Sequence, residues 1–170
     1  VHGHDVVINL IAILHGNEEE FNQAHVTLPA NLARACHAEN VTRLIHISAL
    51  GADVNGPSMY QRSKARGELA LLSAAQKAPL GLTLIRPSVI FGKDDQFINL
   101  FAKLQKVFPF MPLAGANTRF QPVWVHDVAQ AIVHCVNTGS TEGQTYEACG
   151  PDVLTLAELV QLAGRWVGKP

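Results

Sequence analysis

Three short apolar runs, separated by segments of helical periodicity, constrain the fold of this 170-residue chain most strongly. The runs are Val6 to Ile11, Leu44 to Ile47 and Leu82 to Ile85. A short apolar run without alternation is typical of a strand that a parallel sheet buries on both faces. Because parallel strands require helical crossovers, which are right-handed, few topologies remain. The pattern therefore predicts an α/β fold with a doubly wound parallel sheet.

The remaining segments are assigned from periodicity and turn chemistry. Helices are predicted over 25–39, 58–76, 96–106, 128–136 and from residue 155 onward, and short strands over 120–125 and 145–148. Residues 15 to 23 have the composition of a polar loop. Asp127 is expected to cap a helix, and Thr155 and Glu158 have the spacing of a capping box. The last helix is expected to turn Leu159 and Trp166 inward.

Composition excludes several classes of function. Hydrophobic residues make up 48% of the chain, charged residues 16%, and the formal net charge is −1. This balance offers no basic surface for nucleic acid. The longest apolar run, Val6 to Leu14, is too short to cross a bilayer, and no secretory signal is visible. Three widely spaced cysteines fit reduced thiols, and no histidine or cysteine spacing predicts a metal site. We therefore expect a cytoplasmic globular protein.

Tyr60 and Lys64 are the strongest candidates for chemistry. Residues four apart share one face of a helix, where an ammonium can lower the pKa of a phenol and make it a proton donor or acceptor. The three apolar runs are expected to end near Leu14, Ser48 and Pro87, on the sheet edge where that helix begins. Ligands of doubly wound sheets bind at this edge. The alternative is a helix that carries both residues by chance.

Several blocks of sequence then resemble extended and atypical short-chain dehydrogenase/reductases. The blocks are DVVINL (5–10), LIHISALGA (44–52), YQRSK (60–64), IRPSVIFG (85–92), QPVWVHDVA (121–129) and YEACGP (146–151). The segment FGKDDQFIN (91–99) is similar to the subgroup that contains the NADPH-binding accessory subunit of respiratory complex I and its bacterial relatives. The resemblance implies the C-terminal half of a Rossmann-like dinucleotide-binding domain over residues 1–92. Residues 93–170 would form a smaller α+β region on the substrate side.

The resemblance also implies roles for individual residues. Tyr60 would be the proton donor and acceptor, and Lys64 would hold the nicotinamide ribose hydroxyls and tune Tyr60. Arg86 would orient a loop or a phosphate. The cofactor-binding set would be Leu10, Ile11, Ala12, Ile47, Ser48, Ala49, Tyr60, Lys64, Pro87, Ser88, Val89 and Ile90. The cofactor would be NADP or NAD, with NADP favoured.

The chain departs from the family pattern in two places. The catalytic serine of the family falls on Ala49, and Ser48 stands one residue earlier, where strand alternation turns a side chain to the other face. Ser48 is therefore the weaker third catalytic candidate. The glycine-rich turn that cradles the pyrophosphate is absent from these residues, so we expect an upstream portion that carries it.

Two functions stay open at this point, with a third behind them. The first is a cofactor-holding accessory or assembly-type protein, with a respiratory complex or another protein as partner, a homodimer as an option, and a location at the periphery of the inner membrane as an alternative to the cytoplasm. The second is an active NAD(P)-dependent oxidoreductase or nucleotide-sugar epimerase/dehydratase. The third is a redox sensor. The apolar stretch 108–113 is expected to line a pocket or contact a partner.

Overall fold

A computed structural model describes residues 1–77, 79–108 and 112–168. The strands are β1 (Val6–Asn9), β2 (Arg43–Ile47), β3 (Gly81–Pro87), β4 (Ile90–Phe91), β5 (Arg119–Phe120), β6 (Val123–Trp124), β7 (Thr145–Ala148) and β8 (Leu154–Thr155). The α-helices are α1 (Glu18–Asn22), α2 (Leu28–Ala38), α3 (Met59–Lys77), α4 (Ile98–Val107), α5 (Val125–Asn137) and α6 (Leu156–Trp166). A π-helical turn spans Gln23–Thr27 and a 3-10 turn spans Gly139–Thr141.

The main sheet has four strands, all parallel, in the order β1-β2-β3-β7. Its two faces follow the period-two alternation of β2 and β3. One face presents Leu44, Leu82 and Leu84 to Ala33 of α2 and Leu71 of α3. The other presents Ile45 and Ile85 to Ile132, Cys135 and Val136 of α5. Helices on both faces confirm the doubly wound α/β prediction.

Strand β1 is shorter than predicted and lies at an edge of the sheet. It ends at Asn9, whose side-chain oxygen accepts a hydrogen bond from the Ile11 N–H and turns the chain away from β2. Ile8, Leu10 and Ile11 are exposed. The expectation that this run is buried on both faces is therefore wrong, because Val7 packs against the core that includes Ala33 and Leu71, whereas Ile8 on the opposite face is exposed.

The polar segment before α2 is helical, which corrects the loop prediction for residues 15–23. Asn17 accepts from the Glu20 N–H while Glu20 accepts from the Asn17 N–H, so this pair forms a capping box that starts α1. The π-helical turn follows directly, and α2 then begins with Pro29 in its first turn. The buried face of α2 consists of Pro29, Ala33 and Cys36.

Helix α3 begins and ends where its sequence predicts. Ser58 accepts from the Gln61 N–H, and Gln61 accepts from the Ser58 N–H, which is a second capping box. The face that carries Ser63, Lys64 and Leu71 is fully buried. This face brings the predicted Tyr60/Lys64 pair against the sheet rather than into solvent.

Two compact units divide the chain. The first contains Val1–Pro87 and Gln130–Ala148, which is the whole parallel sheet. The second contains Ser88–Ala129 and the segment from Cys149 onward, and its core is formed by Ile98, Leu159 and Ala163. Each unit therefore consists of two separate stretches of the chain. The division into residues 1–92 and 93–170 that the sequence suggested refers to functional regions and stays a prediction.

Several local predictions for the second unit need correction or fall outside the described residues. Helix α5 begins at Val125, so Asp127 lies in its first turn and does not cap it. There the negative charge of Asp127 interacts favourably with the helix dipole. The Thr155–Glu158 capping box of α6 is confirmed. Trp166 is 60% exposed, not inward. Within the apolar stretch 108–113, residues 109–111 lie outside the described residues.

Gly67 allows α3 to approach the π-helical turn more closely than any other residue would. A Cβ built at Gly67 would lie 1.9 Å from the carbonyl oxygen of His25. Because that oxygen is backbone, the overlap is relieved only by moving one of the two helical segments.

We therefore expect Gly67→Ala to lower the free energy of unfolding by about 1–3 kcal/mol, the usual cost of inserting a methyl group into a packed interface. Urea unfolding followed by circular dichroism measures the loss. Gly139→Ala is the matched control, because the nearest atom to its new Cβ is 3.9 Å away. Equal stabilities of the two variants would contradict the expectation.

Candidate functional site

The carboxyl ends of β1, β2 and β3 form a rim, and Lys64 of α3 is buried beneath it. The Lys64 side chain is 1% exposed, and its Nζ donates to the carbonyl oxygen of Ile47 over 2.7 Å. Burial lowers the pKa of Lys64 to about 8, although the nearby Glu68 carboxylate opposes that shift. Both Lys64 and Ile47 belong to the predicted cofactor-binding set, and the structure brings them together.

Tyr60 lies one turn before Lys64 and is half-buried. Burial raises the pKa of its phenol above the ordinary value of 10. The sequence-based expectation that the ammonium lowers this pKa is therefore wrong. The physical reason is that burial removes water that would stabilise the phenolate.

His25, in the π-helical turn, is the important residue that sequence reasoning missed. Its ring is 1% exposed and meets the Tyr60 ring edge-on, with centroids 5.4 Å apart and planes at 85°. Its two nitrogens lie 3.0 Å from the Ile13 backbone nitrogen and 2.8 Å from the Ser63 hydroxyl. Burial, and then the Lys64 charge, lower the pKa of His25 to about 4. Residue spacing did not reveal this contact, because His25 lies four residues before Pro29 and has the spacing of an ordinary core position on the buried face of α2.

Side chains of β2 and of the two residues that follow it also lie at the rim. His46 Nδ1 lies 2.9 Å from the side-chain nitrogen of Asn9, and burial, then Lys64, then His25 lower the pKa of His46 to about 3. His46 Nε2 and Ser48 Oγ are buried without a hydrogen-bond partner within the described residues. Ala49 is also buried.

The segment after β1 contributes the exposed part of the rim. Leu10, Ile11 and Ala12 of the predicted cofactor-binding set are exposed. A groove of about 920 Å³ opens beside them. Its walls come from the segment after β1, α1, the π-helical turn and α2, and include Ile11, Ile13, Glu20, Thr27, Leu28 and Leu32.

The predicted residues at the end of β3 are divided between the two units. The Pro87 carbonyl oxygen accepts from the Leu50 N–H within the first unit, next to Ser48 and Ala49. Ser88, Val89 and Ile90 belong to the second unit, where the Val89 carbonyl oxygen accepts from the Val123 N–H. These residues continue directly from a rim strand, and their role at the cofactor stays a prediction.

Arg86 binds a buried carboxylate of the protein. Its Nε and Nη2 donate to the two Glu68 oxygens over 2.9 and 2.5 Å. The Glu68 side chain is 4% exposed, and the bidentate bond to it raises the pKa of Arg86. Removing one partner of such a pair leaves a buried charge uncompensated, which costs about 3–5 kcal/mol. Arg86 therefore connects β3 to α3, and its Nε and Nη2 donors are already used by Glu68.

Within the described residues, no group of three or more histidine, cysteine or acidic side chains could hold a metal ion. The helices of the same residues lack the length and apolar composition of a membrane span. His126, in the second unit, is exposed, and its ring lies 4.6 Å from that of Trp124 at an angle of 42°.

The two buried histidines predict a specific pH dependence of stability. Unfolded histidine titrates near 6.5, whereas the folded pKa values are about 4 for His25 and about 3 for His46. Between these values the unfolded chain binds more protons, so the free energy of unfolding falls as the pH drops from 6.5 toward 4, by at most about 1.4 kcal/mol per pH unit for each histidine. Above 6.5 this contribution is complete.

Urea unfolding at a series of pH values measures this slope. We expect His46→Gln to reduce the slope between pH 4 and 6.5, since one of the two groups no longer titrates. His134→Gln is the control for the loss of an exposed histidine. A slope in His46→Gln as steep as that of the wild type would contradict the assignment.

Comparisons with known proteins agree with this architecture. Residues 1–149 match the family described as the NAD dependent epimerase/dehydratase family. The chain is 40% identical over 166 residues to NADH dehydrogenase (ubiquinone) 1 alpha subcomplex subunit 9, mitochondrial, of Arabidopsis thaliana, covering 93% of this chain and 39% of that protein. It is 38% identical over 164 residues to the Mus musculus protein of the same name, covering 92% and 41%.

A solved structure shows the same fold at lower identity. The dTDP-glucose 4,6-dehydratase DesIV of Streptomyces venezuelae, with NAD and TYD bound, superposes with a TM-score of 0.88 at 21% identity, covering 99% of this chain and 59% of that one. The chain thus spans about two fifths of the length of the curated relatives it matches. The match over residues 1–149 and the parallel sheet together establish that this chain belongs to the NAD-dependent epimerase/dehydratase family.

Proposed function

We propose that this chain holds the nicotinamide half of a nicotinamide dinucleotide, NADP(H) or NAD(H), at the rim of its parallel sheet. We propose further that the main function of the protein is to hold this cofactor within a larger protein assembly. The observation that carries it is the buried Lys64 ammonium at the carboxyl end of β2.

The donors and acceptors at this rim fit such a ligand. An ammonium has three N–H donors, and the described residues match one of them, through the Ile47 carbonyl oxygen. Ribose hydroxyls would accept from the others. The Ser48 hydroxyl, buried without a partner in the described part of the chain, is one further polar group that a ligand could satisfy. When bound, the cofactor would supply hydride chemistry, while these residues orient its ribose.

The residue after Ser48 favours holding over turnover. Ala49 stands where the family places its catalytic serine, which removes a hydroxyl that would orient a reacting substrate. Burial raises the pKa of the Tyr60 phenol, so Tyr60 is suited to donate a hydrogen bond or a proton and poorly suited to remove a proton from a substrate. The missing hydroxyl supports a bound cofactor that is not consumed.

Relatives support the nature of the assembly. The Arabidopsis and mouse relatives are named as mitochondrial subunits of NADH dehydrogenase (ubiquinone). We therefore propose a respiratory NADH dehydrogenase as the partner complex and the periphery of its membrane as the location. A homodimer is the alternative partner arrangement. The second candidate function, an NAD(P)-dependent oxidoreductase or nucleotide-sugar epimerase/dehydratase, is favoured by the intact Tyr60/Lys64 pair at the rim.

Titration of the full-length protein with NADH and with NADPH, followed by nicotinamide fluorescence, tests cofactor binding. We expect Lys64→Met to weaken binding by about 10- to 100-fold, because a charged hydrogen bond contributes about 1.5–3 kcal/mol. Lys77→Met is the matched control at an exposed position of the same helix. Equal affinities of wild type and Lys64→Met would refute the assignment of the rim.

The same preparation separates holding from turnover. A holding protein is expected to retain dinucleotide through desalting and to leave NADPH unoxidised beside ketones and nucleotide sugars. An enzyme would oxidise it, and Tyr60→Phe would slow that reaction by about 10²- to 10⁴-fold, the usual contribution of a general acid or base. Such a loss would establish the second candidate function instead of the first.

A further inference from the structure

The contacts of His25 form one continuous hydrogen-bonded chain across the rim. The chain starts at the backbone N–H of Ile13, passes through both nitrogens of His25 to the Ser63 hydroxyl, and ends at the Tyr60 carbonyl oxygen. The three distances are 3.0, 2.8 and 2.9 Å. It connects the segment after β1, which walls the 920 Å³ groove, to the first turn of α3.

The donor and acceptor roles in these hydrogen bonds determine which nitrogen of the His25 ring carries the proton. A backbone N–H can only donate, so His25 Nε2 must accept from Ile13 and carries no proton. The neutral ring therefore holds its proton on Nδ1 and donates it to Ser63 Oγ. The Ser63 hydroxyl is then free to donate to the Tyr60 carbonyl oxygen. With the proton on Nδ1, each donor in these three hydrogen bonds has an acceptor.

Backbone packing fixes the position of the same ring. The carbonyl oxygen of His25 touches Gly67, where no Cβ would fit, so the π-helical turn and α3 are locked together at this residue. Tyr60 meets the ring edge-on, and Phe21 packs against it at a centroid distance of 5.5 Å. π-helical turns are rare and frequently occur at functional sites.

We propose that His25 is a positioning residue for the cofactor: as a neutral clamp, it sets the spacing between the Ile11–Ile13 segment and the Tyr60 end of α3, the two parts of the rim that would hold the nicotinamide half. The inference rests on the proposed function for its ligand, but the clamp itself is a property of the protein alone. A histidine that merely fills the core would need only its packing contacts. Here both ring nitrogens bind groups on separate walls of the rim.

Three variants at the rim separate clamping from packing. His25→Phe keeps a ring of similar shape but removes both hydrogen bonds. His25→Gln places an amide oxygen near the position of Nε2 and keeps the bond to Ile13. Phe21→Leu is the matched control, because it disturbs packing against the ring and removes none of these hydrogen bonds.

Amide hydrogen exchange and nitrogen NMR test the clamp without any cofactor. The wild type is expected to show a neutral imidazole protonated on Nδ1 and a protected Ile13 amide. That protection should be lost in His25→Phe, recovered in part in His25→Gln and kept in Phe21→Leu. A ring protonated on Nε2, or an Ile13 amide equally protected in wild type and His25→Phe, would overturn the inference.

Dinucleotide titration of the same proteins tests the consequence for binding. We expect His25→Phe to weaken binding by about 5- to 30-fold, the effect of one to two ordinary hydrogen bonds, with His25→Gln closer to the wild type. Phe21→Leu should lower the unfolding temperature and leave the affinity unchanged. Equal affinities of wild type and His25→Phe would overturn only the inference, whereas a wild type that binds neither NADH nor NADPH would overturn the proposed function.

Discussion

A buried ammonium at the end of a parallel strand determines the arrangement of the whole rim. Removing a lysine from water costs several kcal/mol unless strong acceptors replace the hydration shell. Lys64 finds one such acceptor in the carbonyl oxygen of Ile47, the last residue of β2. That bond requires α3 to lie across the carboxyl end of β2, and the close approach at Gly67 makes the placement possible. The position of Tyr60 follows, one turn earlier on the same helix.

The charges around Lys64 are arranged so that it stays the dominant cation of the rim. Glu68, one turn later on α3, is bound through both oxygens by Arg86 and is therefore largely neutralised. His25 and His46 are kept uncharged by burial and by Lys64 itself, with pKa values of about 4 and 3. With a pKa of about 8, roughly nine in ten Lys64 side chains are charged at pH 7. A single buried positive charge surrounded by neutral polar groups suits hydroxyl acceptors, which need no countercharge of their own.

Sequence alone predicted the features that depend on local patterns. The continuous apolar runs predicted the central strands β2 and β3, and the four-residue spacing predicted the shared face of Tyr60 and Lys64. Capping chemistry predicted the start of α6 at Thr155, and the same chemistry at Asn17 and Glu20 could have predicted α1. Trp166 and the length of β1 were predicted incorrectly, because burial depends on which neighbours a segment finds and the apolar pattern does not specify them.

The properties of the site itself were harder to predict, because they depend on desolvation and on hydrogen bonds between separate segments of the chain. The shift in the pKa of Tyr60 has the opposite sign to the expected one, since helix spacing reports the distance to Lys64 but not the loss of water around the phenol. The role of His25 depends on its hydrogen bonds with Ile13 and Ser63, which belong to other segments of the chain. Residue spacing alone specifies neither effect.

A protonated Tyr60 and a charged Lys64 together form a site that can donate hydrogen bonds, whereas removing a proton from a substrate would need a phenolate. For the phenol to act as a base, its pKa would have to fall by several units, and burial works against that change. A ligand that fills the rim would remove more water and strengthen this effect, unless it brought a positive charge. The oxidised nicotinamide ring carries such a charge and the reduced ring does not. Formation of a phenolate would therefore be favoured only beside an oxidised cofactor, and beside a reduced one Tyr60 would stay protonated, able to donate a hydrogen bond or a proton.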